Sequence, residues 1–439
     1  MRPSLGWVGI VRLGLVQAAL GSVTVLTIST LNRVMVVEWS LPALLPGALV
    51  ALHYAIQALR PRLGHGSDMG GRRTPWIIGG MVALATGGLI AALGTSMMGA
   101  SLLPGLLVSV IGFSLVGLGV GSAGTSLLVL MAARVAARRR APAATILWLM
   151  MIAGIAVTAC CAGMLLDPFS PRRLVGFTAV VACAALVVSV LAVWRLEGNA
   201  PTIPVVRQDG AGFVVAMRQV WAEPQARRFA AFVFVSMLAY SAQEMVLEPF
   251  AGAVFRMTPG GTAGLTGLFH AGVLGGMAGV ALCCAIAGEF RTRAMRVCTV
   301  GGCAASALGL TGLAGAALAG PAWPLHTTVF LLGIANGAFA VSAIGAMMGL
   351  ASAGRASREG VRVGLWGAAQ AFAFAAGGLA GTGLIDATSL MIAGPAVAYA
   401  TVFGVQALVF ALAARMALGV FQPRDDRVGG PALAVSQAG

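Results

Sequence analysis

The feature that most constrains this chain is a succession of about twelve windows, each roughly 20 residues long and almost free of charge, separated by short polar connections. They fall near 12–31, 43–59, 76–97, 103–131, 143–165, 174–194, 229–250, 263–288, 297–319, 325–350, 364–384 and 395–418. A backbone inside lipid must satisfy its own hydrogen bonds, so only helices or closed barrels cross. The windows lack the alternating ten-residue pattern of a barrel strand, which leaves helices. Only 9% of the 439 residues are charged, against roughly 25% in soluble domains. The chain therefore reads as an all-α integral membrane protein. Its first window is too long and too weakly basic for a cleaved signal peptide, and no small-residue cleavage site follows, so it is expected to be retained.

Charge placement gives an orientation. All 28 basic residues are arginines, and the formal net charge is +15. Four of them, Arg33, Arg172, Arg173 and Arg256, fall in odd-numbered connections, and the other 24 lie on the opposite side. Arginine-rich connections stay on the cytoplasmic face, so both termini are expected to be cytoplasmic. The basic stretches Arg134–Arg140, Arg291–Arg296 and Gly354–Arg362 then face anionic lipid of the bilayer, and no nucleic-acid partner is expected. The seven cysteines all lie in apolar windows without CxxC spacing. They read as small packing residues, with no metal site expected.

A long polar segment divides the chain nearly in half. Within it, Phe213, Met217, Val220 and Trp221 share one face of a short amphipathic helix suited to the interface. The expected organisation is a six-helix half over 1–194, a cytoplasmic linker over 195–228, a second six-helix half over 229–420 and a disordered Pro/Gly-rich tail over 421–439. The halves echo each other: Trp148 precedes Leu165-Leu166-Asp167 as Trp366 precedes Leu384-Ile385-Asp386, and Gly117 and Gly121 match Gly333 and Gly337. RVMVVE at Arg33 to Glu38 likewise resembles EMVLE at Glu244 to Glu248. An even number of helices per half makes this a parallel repeat about an axis along the membrane normal.

Between the second and third windows stands GHGSDMGGRRTPW, with Gly64, Asp68, Gly71, Arg72 and Arg73. Small glycines permit a tight turn, and a carboxylate there could meet a helix N-terminus or an arginine of the other half. The pattern resembles the signature loop of the major facilitator superfamily, which implies a cytoplasmic gate. Here Met69 stands where that loop carries a basic residue. Within the superfamily, the runs Leu31 to Gly80, Ala242 to Phe255 and Arg358 to Phe374 resemble the PucC/LhaA bacteriochlorophyll-delivery family of purple phototrophs, in particular the subgroup associated with bacteriochlorophyll synthesis.

That resemblance implies a twelve-helix major facilitator superfamily fold in a bacterial inner membrane, cytoplasmic or intracytoplasmic. It also implies a carrier that binds bacteriochlorophyll or a late precursor as cargo. The partners implied are light-harvesting or reaction-centre subunits, or a pigment synthase. A magnesium pigment takes one axial donor, commonly imidazole, so His53, with Tyr54 and Gln57 near it, and His270 are candidate pigment contacts. At the opposite mouth Asn32, Arg33 and Glu38 of the first half and Gln243, Glu244 and Glu248 of the second are candidate closing pairs, with a contact from Arg33 to Glu244 or Glu248 expected. No P-loop, nucleophile elbow or H-E-x-x-H occurs, so no catalytic residue is assigned and an enzyme is not expected. A proton-coupled small-molecule exporter and a non-transporting assembly scaffold remain open beside the carrier reading.

Overall fold

A computed structural model describes residues 5–57, 72–136, 139–197, 218, 221–352, 359–391 and 394–420. Among these residues the chain forms twelve long helices and no strand. In order they are α1 (Trp7–Glu38), α2 (Leu44–Gln57), α3 (Thr74–Met98), α4 (Leu102–Arg134), α5 (Arg140–Leu165) and α6 (Pro171–Val193), then α7 (Pro224–Phe255), α8 (Pro259–Ile286), α9 (Arg291–Ala319), α10 (Leu325–Ser352), α11 (Glu359–Met391) and α12 (Pro395–Val420). Eleven are long and apolar enough to cross a membrane. The twelfth, α2, is described over 14 residues, about 21 Å at 1.5 Å per residue. The protein is a multi-pass membrane protein of two six-helix halves. The amphipathic linker face at Phe213, Met217 and Val220, and the tail over 421–439, lie outside the described residues.

Helix starts follow local chemistry. Proline occupies the first turn of α3, α6, α7 and α8, where its fixed φ suits the helix and its missing N–H is not needed. Ser170 and Thr258 cap α6 and α8 by accepting from Arg173 N and Gly261 N.

The first helix departs most from expectation. It continues past residue 31 to Glu38 through two π-helical turns, Leu26–Thr30 and Val34–Glu38. Asn32 and Arg33, read from their polarity as the start of a connection, lie inside it and are buried. Helical hydrogen bonding spares the backbone, while the other half supplies polar partners for the side chains, so the helix does not need to end there.

Two packed cores hold the halves. One surrounds Ile10, Leu13, Leu84 and Leu127; the larger includes Phe229, Phe232, Phe250, Phe339, Phe403 and Phe410 and reaches into α1 and α5. Edge-to-face contacts run through the second, with Phe250 and Phe403 centroids 4.9 Å apart. Arg12 of α1 fastens the end of α6 by donating to the carbonyls of Ala192 at 2.8 Å and of Trp194. Exposed apolar side chains such as Leu103, Ile111, Val180, Leu308 and Leu408 give the bundle its lipid-facing surface.

The internal repeat is visible in the packing. A Cβ at Gly117 would lie 2.5 Å from the carbonyl oxygen of His53, and one at Gly333 would meet that of Phe269. Both members of this contact shift by the same 216 residues, 117 to 333 and 53 to 269. The cysteines differ from expectation: only Cys303 is buried, whereas Cys160, Cys161, Cys183 and Cys283 are exposed. Cys160 nonetheless packs across the halves, its Sγ 2.6 Å from where a Cβ at Gly267 would stand.

Candidate functional site between the two halves

The halves are tied together at the mouth where α1, α5, α7 and α11 end, and aspartates make two of the ties. Asp167, just past α5, accepts from Gly260 N at 3.1 Å and from the Thr258 hydroxyl at 2.5 Å, both at the start of α8. Asp386, near the end of α11, accepts from Ala43 N at 2.9 Å and Leu44 N at 2.7 Å, at the start of α2. In each case a carboxylate from one half meets the positive end of a helix from the other. The chain must come very close for this: a Cβ at Gly260 would stand 2.6 Å from the Asp167 carboxyl carbon.

A second set of contacts joins α1, α7 and α8. Glu248 is 1% exposed, and its Oε1 accepts from the hydroxyls of Ser29 on α1 and Thr266 on α8, each at 2.7 Å. Asn32 donates to the Met245 carbonyl at 2.5 Å. Arg33 pairs with Glu38 of its own helix and donates to the Met257 carbonyl at 2.7 Å. The expected contact from Arg33 to Glu244 or Glu248 is therefore replaced: the guanidinium is held by Glu38 and a carbonyl, and α1 reaches Glu248 through Ser29. The π turns explain the difference, because each extra residue per turn rotates the following side chains relative to a regular helix. Gln243 also departs from the expected inter-half role. Its Oε1 accepts from Asn336 of α10 at 2.9 Å, and Asn336 accepts from Ser306 of α9 at 2.6 Å, all within the second half.

Deeper between the halves an aromatic chain crosses from one to the other. Tyr54 of α2 lies 5.2 Å from Phe374 of α11, which lies 6.1 Å from Tyr240 of α7, one turn before Glu244. All four side chains are partly exposed.

The two candidate imidazoles differ in readiness. His53 Nε2 sits 2.7 Å from the Gln57 amide nitrogen, so Gln57 engages the nitrogen a metal would need rather than supplying a separate ligand. His270 Nδ1 sits 2.9 Å from the Thr266 carbonyl. A carbonyl only accepts, so Nδ1 carries the hydrogen and Nε2 keeps its lone pair. That Nε2 is buried and has no hydrogen-bond partner among the described residues. An imidazole fixed through Nδ1–H to a carbonyl is the form that ligates a metal.

Of the expected gating loop, Gly64, Asp68 and Gly71 lie outside the described residues. Arg73 is buried, and its N–H donates to Glu197 at 2.7 Å; Thr74 adds its N–H and hydroxyl to the same carboxylate. Glu197 thus caps α3 within the first half. Sequence reasoning gave no role to Glu197 and read Asp167 and Asp386 only as markers of the repeat, although isolated acids at the edges of apolar windows were the available signal. Ser29, Thr266 and Asn336 carried none, since lone hydroxyls and amides in apolar helices are common.

The fold and this inter-half architecture define a twelve-helix membrane protein with the major facilitator superfamily fold. Solved structures with the same fold include the peptide transporter POT in complex with sulfate (TM-score 0.69, 14% identity, covering 95% of this chain and 96% of that one) and the D-xylose-proton symporter (TM-score 0.67, 16% identity, 91% and 96%). The chain belongs to the PucC family, whose description is PUCC protein and whose profile matches residues 30–424. It is 50% identical to the Bacteriochlorophyll synthase 44.5 kDa chain of Rhodobacter capsulatus over 96% of this chain and 97% of that one. It is 29% identical to Protein PucC of the same organism over 93% and 91%.

Proposed function

We propose that this protein is a membrane carrier that takes up bacteriochlorophyll or a late precursor between its two halves and hands it to light-harvesting or reaction-centre polypeptides. Family membership over nearly the whole chain carries the pigment assignment, because the half-identical relative is named for bacteriochlorophyll synthesis. The ready Nε2 of His270 on α8 supports a magnesium-ligating role, and Tyr54, Phe374 and Tyr240, which bridge α2, α11 and α7, offer faces for a macrocycle. When bound, the pigment supplies the light-absorbing ring; the protein's part is to ligate, stack and shield it.

In this reading the protein is not itself the enzyme. Its transporter fold suits movement of a cargo alongside a synthase, and the relative's name fits a chain of such an assembly. The bilayer is the cytoplasmic or intracytoplasmic membrane of a phototroph, both termini are cytoplasmic, and the tied mouth faces away from the cytoplasm. Pigment extraction from protein purified out of a phototrophic host tests this. Retained bacteriochlorophyll that falls in His270→Leu and not in a lipid-facing Leu408→Ala control supports it; a colourless wild type overturns it in favour of a scaffold or small-molecule carrier.

A further inference from the structure

The buried carboxyl of Glu248 does something the pigment reading does not use. Its Oε1 takes two hydroxyl donors, from Ser29 of the first half and Thr266 of the second, while Oε2 is buried without a hydrogen-bond partner among the described residues. An ionised carboxylate at such depth needs a counter-charge or more donors. The nearby cation, Arg33, is already neutralised by Glu38 and turned to the Met257 carbonyl. The other titratable or charged groups on the surrounding elements are Tyr240 and Glu244 on α7 itself, His270 of α8, Asp167 just past α5 and bonded to the start of α8, Asp386 of α11 bonded to the start of α2, and Tyr399 of α12 beside Phe250. None brings a positive charge to Oε2: His270 has its hydrogen directed at the Thr266 carbonyl.

We infer that Glu248 is a proton-binding site whose occupancy is coupled to the opening of the mouth between the halves. With the mouth closed, the carboxyl is dry and holds its proton. Separating α1 from α7 withdraws the Ser29 hydroxyl together with the Asn32 and Arg33 contacts, admits water, and lets the carboxyl ionise with release of that proton to solvent. Proton binding and mouth closure then favour each other by linkage, since a ligand shifts an equilibrium toward the state that binds it better. Low pH closes the mouth and high pH opens it. No pigment is required, so the inference stands or falls apart from the proposed cargo.

Two measurements on the purified full chain test it. In pH-dependent infrared difference spectra, the wild type should show a protonated-carboxyl C=O band that titrates, lost in Glu248→Gln and kept in Glu244→Gln. Spin labels at Ser40→Cys and Arg256→Cys, both exposed at this mouth, in a background without the seven native cysteines, should move apart as pH rises. Adding Glu248→Gln, which can still accept both hydroxyls, should abolish that movement and leave the labels close. A titrating band that is the same in Glu248→Gln as in the wild type overturns the inference. So does a label distance that ignores pH in otherwise wild-type protein, a result that does not depend on the variant folding.

Discussion

Asp167 and Asp386 stand at equivalent places in the two halves, and each grips the first N–H groups of a helix from the opposite half. Their partners, Gly260 N and Leu44 N, are themselves 216 residues apart, the displacement that relates Gly117 to Gly333. The tied mouth is thus built twice from one plan, and closing it repeats one local event: a carboxylate meeting a helix N-terminus.

Removing either charge should loosen the mouth by a similar amount. A carboxylate at a helix N-terminus contributes about 0.3–1 kcal/mol, and up to about 2 where partly buried. Asp167→Asn and Asp386→Asn should each raise thiol labelling of a Thr262→Cys reporter, buried at the start of α8, several-fold in a background without the native cysteines, and the double variant should multiply the two effects. Labelling unchanged in the double variant contradicts the latch.

Gly47 of α2 is pressed against Thr382 of α11, whose hydroxyl a Cβ would strike. Gly47→Ala should therefore destabilise the inter-half contact by about 1–3 kcal/mol, the usual range for overpacking. Thr382→Ala, which deletes the obstructing atoms, should recover much of that loss. Thermal unfolding in detergent of the two single variants and the double measures the coupling, and strict additivity rejects it.

Arg33 answers to Glu38 rather than to Glu248. Exchanging charges between Arg33 and Glu248 should give no rescue over the single variants, whereas exchange between Arg33 and Glu38 should restore part of the lost stability. Arg33→Lys should not substitute fully, because one ammonium cannot reproduce the guanidinium's fork to a carboxylate and a carbonyl. Rescue by the first exchange would show the structural pairing to be wrong.

Gln243 braces the second half and touches nothing of the first in its described hydrogen bond. Gln243→Leu strands the Asn336 amide, with an expected loss near 0.6 kcal/mol and at most about 1.7 on the scale of interhelical hydrogen bonds in membranes. Melting temperature should fall slightly while pigment retention stays. A complete loss of pigment with an unchanged melting temperature would move Gln243 into the cargo site.

Helix number and the tandem repeat were legible because lipid forces a simple code of long apolar windows and swept-out charge. The ends were less legible. Arg33 and Asn32 look like loop residues in sequence, and only the donors and acceptors of α7 and the α7–α8 connection reveal why they stay helical. The same limit applied to the histidines: His53 and His270 look alike as lone imidazoles in apolar helices. They are separated by Gln57 one turn on in one case and a carbonyl at Thr266 in the other, and which ring nitrogen each partner takes depends on rotamers that spacing does not encode. Asp167 and Asp386 were visible as a repeated motif, but their function needed the opposite half to be in place.

The most direct measurement is the absorption spectrum and extracted pigment of wild-type protein beside His270→Leu and His53→Leu, all purified from a phototrophic host under conditions that keep antenna complexes coloured. The account predicts bound bacteriochlorophyll or a precursor in the wild type, largely lost in His270→Leu and largely kept in His53→Leu. Equal pigment in all three would contradict the assignment of the ligand, and no pigment in any would contradict the carrier itself.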